Sequence, residues 1–196
     1  MIVSNRNSGT VIGYHGCRTN ASRTFAEELF ADPTKIREWR SSENDYDWLG
    51  SRIYFWEDSP TRALKWSEES GTSPVVIGAL IDLGRCFDLT DPDHMDHLGS
   101  VYKTVAEKYR DQKRQLPTNR GRAFGLRDLD CPIVNEAMKM SDQSFGDVDH
   151  ELYFQSVRCP FEEGEAAFPG GMIRTLTHIQ IAIRNWRCIR AVFRVL

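Results

Sequence analysis

Gly50-Ser-Arg-Ile-Tyr-Phe-Trp56, with the residues just after it, sets the reading of this chain. Arg52 to Trp56 has the aromatic and β-branched content of a pleated, half-buried strand. Asp58-Ser-Pro-Thr-Arg-Ala-Leu-Lys-Trp66 then opens a helix. Pro60 takes the first helical position, where its missing N–H is no loss. The helix is expected to run to about Glu69 and to break at Gly71-Thr-Ser-Pro74. A second stretch, Gly13-Tyr-His-Gly-Cys-Arg-Thr-Asn20, has the same grammar. It closes a short apolar strand, Val11 to Tyr14, and leads into a helix opening at Asn20 or Ser22 with Phe25, Leu29 and Phe30 on one face. One strand brings a phenol, Tyr54, to the edge of a cleft, and the other an imidazole, His15.

Working outward, Val75 to Leu83 is a near-continuous apolar run and reads as a strand buried on both faces. Cys86 to Thr90 is a further short strand. Val101, Val105 and Tyr109 recur at helical spacing, which predicts a helix from Leu98 to Leu116, ended by Pro117. Cys131 to Met140 is a second helix. Strands return at about 152–157, at His178 to Arg184 and at Cys188 to Val195. In the last, Ile189, Ala191, Phe193 and Val195 alternate onto one face. Strands at both ends with helices between them predict an α+β domain on a mainly antiparallel sheet, not a doubly wound one. A single domain, 1–196, is expected, with a helical insertion at about 91–140.

Composition narrows the function classes. The chain has 196 residues, 40% hydrophobic and 27% charged, with a formal net charge of -3. That excludes a disordered chain, a collagen and a coiled coil. No stretch of 18 apolar residues exists, and Met1 to Asn7 lacks the apolar run of a signal peptide, so a cytoplasmic protein without membrane contact is expected. Without net basic charge, contact with nucleic acid would need a local patch. Arg110, Lys113, Arg114, Arg120, Arg122 and Arg127 give one stretch such a bias. The five cysteines form no close pair, which fits reduced thiols rather than structural zinc. His94 and His97 have a spacing that could hold a metal, but their setting predicts an acidic turn before a helix, and no metal is expected. Walker, GxGxxG, GxSxG and HExxH motifs are all absent.

The paired stretches resemble the motifs of the ADP-ribosyltransferase superfamily, in its diphtheria-toxin-like and poly(ADP-ribose)-polymerase-like branch. Such enzymes carry a hydrophobic strand with His-Gly, then Gly-x-Gly-Ile-Tyr-Phe-Ala before a helix, then a third strand with a catalytic Glu. His15-Gly16 matches the first motif, and Gly50, Ile53, Tyr54 and Phe55 match the second. Arg52 stands where the second Gly is common, and Ala63 suits the following helix. The third strand, His178-Ile-Gln-Ile-Ala-Ile-Arg-Asn185, has no Glu; Gln180 aligns with it, on the face shared with His178 and Ala182.

The resemblance implies a split, mostly antiparallel β-sandwich around an NAD cleft. It implies that His15 bonds the adenosine ribose, that the Gly16 backbone meets the nicotinamide carboxamide, and that Tyr54 stacks on the nicotinamide. Arg18, Thr19 and Asn20 would lie near the diphosphate or adenosine, with Ala63 also at the NAD site. Ser156 and Arg158 would border the cleft. Gln180 would orient the nicotinamide ribose but carries no charge. The loop from Arg158 to Met172, made mobile by Pro160, Gly164, Pro169, Gly170 and Gly171, offers Glu162, Glu163 and Glu165. Glu163 or Glu165 would supply the carboxylate, or the loop would recognise the target. The implied reaction is transfer of one ADP-ribose from NAD to a macromolecular acceptor (protein, RNA or DNA) with release of nicotinamide. Size and family together imply a toxin or phage-defence effector with an antitoxin or immunity partner. An RNA 2′-phosphotransferase or NAD glycohydrolase on the same fold is the enzyme rival. A catalytically dead module that binds NAD or ADP-ribose is the rival of another class, and Gln180 speaks for it.

Overall fold

The computed structural model describes residues 9–69, 73–121, 125–145 and 153–195. Met1 to Asn7, Gly71, Thr72, Arg122 and Leu152, which entered the sequence reading, lie outside them. Seven strands, β1 (Thr10–Cys17), β2 (Ile53–Glu57), β3 (Val75–Asp82), β4 (Cys86–Asp88), β5 (Ser156–Phe161), β6 (His178–Ile183) and β7 (Ile189–Val195), form one sheet. Its order is β4-β5-β6-β2-β1-β3-β7. Only β4 and β5 run parallel; every other neighbouring pair is antiparallel. Four helices accompany it: α1 (Asn20–Ala31), α2 (Pro60–Glu68), α3 (Pro92–Asp111) and α4 (Asp130–Phe145). The protein is α+β on a mostly antiparallel open sheet. No described helix is long and apolar enough to cross a membrane.

Period-two alternation divides the sheet between two faces. Ile53, Phe55, Ile77, Ala79, Ile81, Ile181 and Ile183 face a core closed by Ala26 and Leu29 of α1 and by Ile36 and Trp39 beyond it. The opposite face is covered in two separate patches. At one end Phe87, Val157 and Ala182 pack with Val101 of α3 and Ile133, Val134, Ala137 and Met138 of α4. At the other, Trp56 and Val76 pack with Ala63 of α2. Between the two patches this face of β2, β5 and β6 carries Trp56, Gln180, His178 and Phe161 in adjacent register.

Several expected boundaries move. The first long helix starts at Pro92, not Leu98, because the Asp91 side chain caps it by accepting from the Asp93 N–H. His94 and His97 are therefore helical, and His94 is buried against Phe87 and Phe154 rather than in a turn. The same helix stops at Asp111, before Lys113 turns left-handed at φ 53°. β5 lies at Ser156–Phe161, shifted from the expected 152–157, and contains Pro160. Proline is tolerated there because β4 pairs only with Ser156 to Arg158, which leaves Pro160 on a free edge. β3 is not buried on both faces throughout: Leu80 is 39% exposed. The regular alternation expected in β7 is broken by a bulge, since Ile81 pairs with Ile189 but Leu80 with Ala191. Ile189 and Val192 consequently share one core, while Phe193 stands on the other face over Gly78.

Candidate functional site

β1 runs past Tyr14 to include His15, Gly16 and Cys17, and its neighbour across the sheet is β2. Their ladder is short, pairing only Gly13 with Glu57 and Tyr14 with Trp56. Continued in register, Gly16 would oppose Tyr54, but pairing stops first and the strands part. The gap is bridged by a side chain: His15 Nδ1 lies 2.8 Å from the Tyr54 carbonyl oxygen. The imidazole is half-buried, edge-on to Trp39 at 5.2 Å and near Phe55 at 5.9 Å. Burial lowers its pKa from the ordinary imidazole value, partly offset by the bond to Tyr54. A carbonyl only accepts, so Nδ1 carries the proton.

Tyr54 points to the other face. Its hydroxyl donates to the Gly50 carbonyl at 2.5 Å and accepts from the Leu49 N–H at 2.8 Å. Burial raises the phenol pKa, which keeps it protonated. The turn it braces needs Gly50, whose φ is 80° and whose absent Cβ would strike the Asn135 side chain. Arg52 leaves the strand region to bond Ser51 O at 2.7 Å and Asn135 Oδ1 at 3.0 Å, tying β2 to α4. His15 and Tyr54 are thus linked through the backbone, with their rings on opposite faces.

Other residues singled out by the sequence have local duties. A Cβ on Gly16 would strike the Ala63 carbonyl oxygen of α2, so close helix packing by itself demands glycine there. Ala63 is fully buried in that contact. Thr19 caps α1 by accepting from the Ser22 N–H at 3.1 Å, and Asn20 is the first helical residue. Arg18 lies over Trp66 at 4.5 Å and pairs with Glu69 at 3.3 Å. Ser156 is buried and donates to Leu83 O at 2.6 Å, inside the core rather than at a cleft. Arg158 bonds Glu57 at 2.6 and 3.0 Å and Asp88 at 3.2 Å, joining β2, β4 and β5; those carboxylates raise its pKa further.

A denser polar cluster occupies the sheet face between the two helical patches. Gln180 sits opposite Trp56 on one side and Cys159 on the other. His178, two residues back on the same face, is 7% exposed and accompanies Trp48, Trp56 and Phe161 at ring distances of 6.0, 6.4 and 5.9 Å. Glu163 meets Arg62 of α2 at 2.5 Å and His178 Nδ1 at 3.7 Å. Four buried polar atoms here have no partner among the described residues: Trp56 Nε1, Arg62 Nε, His178 Nε2 and Gln180 Oε1. Native interiors leave few such atoms unsatisfied; others, among them His94 Nε2 and His97 Nε2 of α3, lie elsewhere in the described residues.

The segment expected to be a mobile acidic loop is a hydrogen-bonded hairpin. Leu176 N donates to Glu163 O, Thr175 N to Glu165 O, and Ala167 N to Ile173 O, each at 2.8 or 2.9 Å. Glu163 at its root faces the cluster, whereas Glu162 and Glu165 are exposed. Its tip exposes Phe168, Met172 and Ile173. Two surface hollows lie elsewhere: about 510 Å³ beside Phe30, Pro33 and Phe193, and about 370 Å³ beside Tyr109, Leu116 and Ile133. Neither contains the unpartnered groups.

Gln180 lies on the cluster's face of β6, Glu163 reaches the cluster through Arg62 and His178, His15 and Glu165 stand apart from it, and Tyr54 shares its face. Arg62, His178, Trp48 and Trp56 were not assigned to the site from sequence. The inward facing of His178 was legible in the alternation of its strand; the others depend on how β2, α2 and the hairpin meet. Comparison with known proteins adds nothing, since no family model, curated protein or solved structure matches the chain.

Proposed function

We propose that the protein cleaves NAD at the nicotinamide–ribose bond and passes one ADP-ribose to a macromolecular acceptor. The observation that carries this reading is the adjacency of β6, β2 and β1. These are the strands of the three motifs, and β1 and β2 part where a split sandwich would open. In the reaction the C–N bond breaks with its electron pair leaving on nicotinamide, and the ribose becomes oxocarbenium-like. An acceptor oxygen or nitrogen attacks that carbon and gives up its proton. Glu163, at the cluster beside His178, is the carboxylate that faces the developing positive charge. His15 serves the adenosine ribose from β1, and the Tyr54 ring, its hydroxyl already committed, serves the nicotinamide. The hairpin tip meets the acceptor. Five cysteines without disulfides suit a reducing compartment, the cytoplasm.

Incubating the purified protein and a cell lysate with NAD labelled in its adenylate part tests the reading. Label should enter a macromolecular fraction, sorted by protease or nuclease digestion, as nicotinamide is released. A protein that binds NAD and never releases nicotinamide would instead be a binding module. Uncharged Gln180 and the Arg62 pairing of Glu163 favour that second reading.

A further inference from the structure

We infer that the hollow between the end of α3 and the start of α4 seats one splayed-out base of a single-stranded nucleic acid, and that this strand is the acceptor. The second clause rests on the NAD reading; the first rests on the hollow alone. The hollow measures about 370 Å³, within the range of roughly 300–1,000 Å³ usual for ligand sites, and is walled by Tyr109, Leu116, Pro117, Leu129, Pro132 and Ile133. Its charged lining is Lys108, Arg114 and Glu136. From Lys103 to Arg114 the chain carries Lys103, Lys108, Arg110, Lys113 and Arg114 against only Glu107 and Asp111. All five cations are exposed, and none forms a salt bridge among the described residues, whereas Arg120 and Arg127 further along are paired with Asp128 and Asp130. Lys108 and Arg110 complement the helix dipole in the last turn of α3. Lys113 and Arg114 lie past the helix, where that duty ends.

Lys113 N donates to Arg110 O and Arg114 N to Tyr109 O, each at 2.9 Å, which closes α3 as a Schellman turn. Such a turn needs one left-handed residue and commonly takes glycine, yet Lys113 holds that place at φ 53°. A positive charge is thus kept where glycine would fit the backbone better. The turn folds Arg114 back over the Tyr109 ring at 4.7 Å, with Arg114 Nη1 donating to Gln112 Oε1 at 3.3 Å. A tyrosine ring capped by a guanidinium gives a base aromatic and cationic surface to stack on. Glu136 repels a phosphate from the hollow itself and suits a base there, since a carboxylate accepts from an exocyclic amino group. The phosphates on either side then meet the cations of the rim. A duplex keeps its bases stacked, so a hollow of this size takes a base only from a single strand. Leu129 of the hollow lies two residues from Arg127, whose guanidinium covers Trp48 at 4.6 Å and Phe161 at 5.6 Å. Those two rings flank His178, so a strand leaving the hollow along Arg127 is led toward the Glu163 cluster.

The test is binding of fluorescently labelled oligomers of about 12 nucleotides to the full chain without NAD, read as anisotropy at rising salt. Single-stranded RNA and DNA, the corresponding duplexes and polyglutamate are compared. A single strand should bind more tightly than its duplex, and polyglutamate should not bind; whichever of RNA and DNA binds better names the sugar of the acceptor. Lys108→Ala/Lys113→Ala/Arg114→Ala should weaken binding about tenfold or more and flatten the log–log salt dependence by about 2, with nicotinamide release from NAD unchanged. Tyr109→Leu should weaken binding about tenfold by removing the stacking surface. Lys113→Gly separates charge from structure: glycine suits the left-handed turn, so the thermal midpoint should hold or rise while binding weakens. Equal binding of duplex or of polyglutamate, or unchanged binding in the triple variant, overturns the inference. Strand binding by a protein that releases no nicotinamide leaves the base seat standing and removes ADP-ribosyl transfer. Nicotinamide release with no strand bound or labelled overturns the inference and leaves the NAD reading.

Discussion

Gly16 illustrates how one residue can satisfy two explanations. The family resemblance gives it a backbone role toward nicotinamide, yet its missing Cβ points at the Ala63 carbonyl of α2. Gly16→Ala should therefore cost about 1–3 kcal/mol by overpacking, read as a lower urea midpoint, and any lost activity would report folding first. Glu163 is a cleaner probe, because Glu163→Gln keeps the shape and removes the charge. Nicotinamide release should fall about 10²-fold or more in that variant, with NAD binding changed little. Gln180→Ala should weaken both binding and release. If Glu163→Gln releases nicotinamide at the normal rate while Gln180→Ala does not, the carboxylate role assigned to Glu163 is wrong.

The elements were legible where punctuation and periodicity agreed. Ser59-Pro60 announced α2, and the β6 alternation announced which residues face the cluster. Asp91-Pro92 carries the same helix-start signal, and α3 begins there, which makes His94 and His97 helical. β5 extends past the expected 152–157 through Pro160, whose missing N–H meets no neighbour on the free edge. The β7 bulge and the convergence of Arg62 with Glu163 depend on contacts between distant segments, which no local pattern encodes. The hairpin from Glu163 to Leu176 makes its own prediction. Replacing Phe168, Met172 and Ile173 by Ser should reduce acceptor labelling severalfold and leave nicotinamide release intact, because the tip is exposed and only the root touches the cluster. Ser67, on the face of α2 turned to the sheet, donates to Cys17 O at 2.7 Å and accepts from Val75 N at 3.0 Å. Ser67→Ala should lower stability by about 1–3 kcal/mol, since buried backbone groups lose a partner.

At the scale of the whole molecule, one sheet packs its two faces against different helices, and between the two helical patches of one face Trp56, His178, Gln180 and Phe161 lie side by side. The thiols do not compete for a chemical role: burial pushes Cys17 and Cys188 to about 11 and Cys86 and Cys159 to about 12. The histidines govern the acid side of stability. Burial lowers the folded-state pKa of His15, His97 and His178 below the unfolded value of 6.5. The unfolded chain then binds more protons, so this contribution is complete above pH 6.5 and is lost as pH falls toward the folded values. Thermal unfolding followed between pH 7 and about 5 should therefore give a falling midpoint, and a flat midpoint across that window would contradict the burial of these rings. The central claim is NAD cleavage at the cluster around Glu163. Its most direct test is nicotinamide release from NAD by the purified protein beside Glu163→Gln, with both shown to be folded by circular dichroism. The account predicts release by the unaltered protein and its near loss in the variant; no release from either, with no NAD bound, would contradict it.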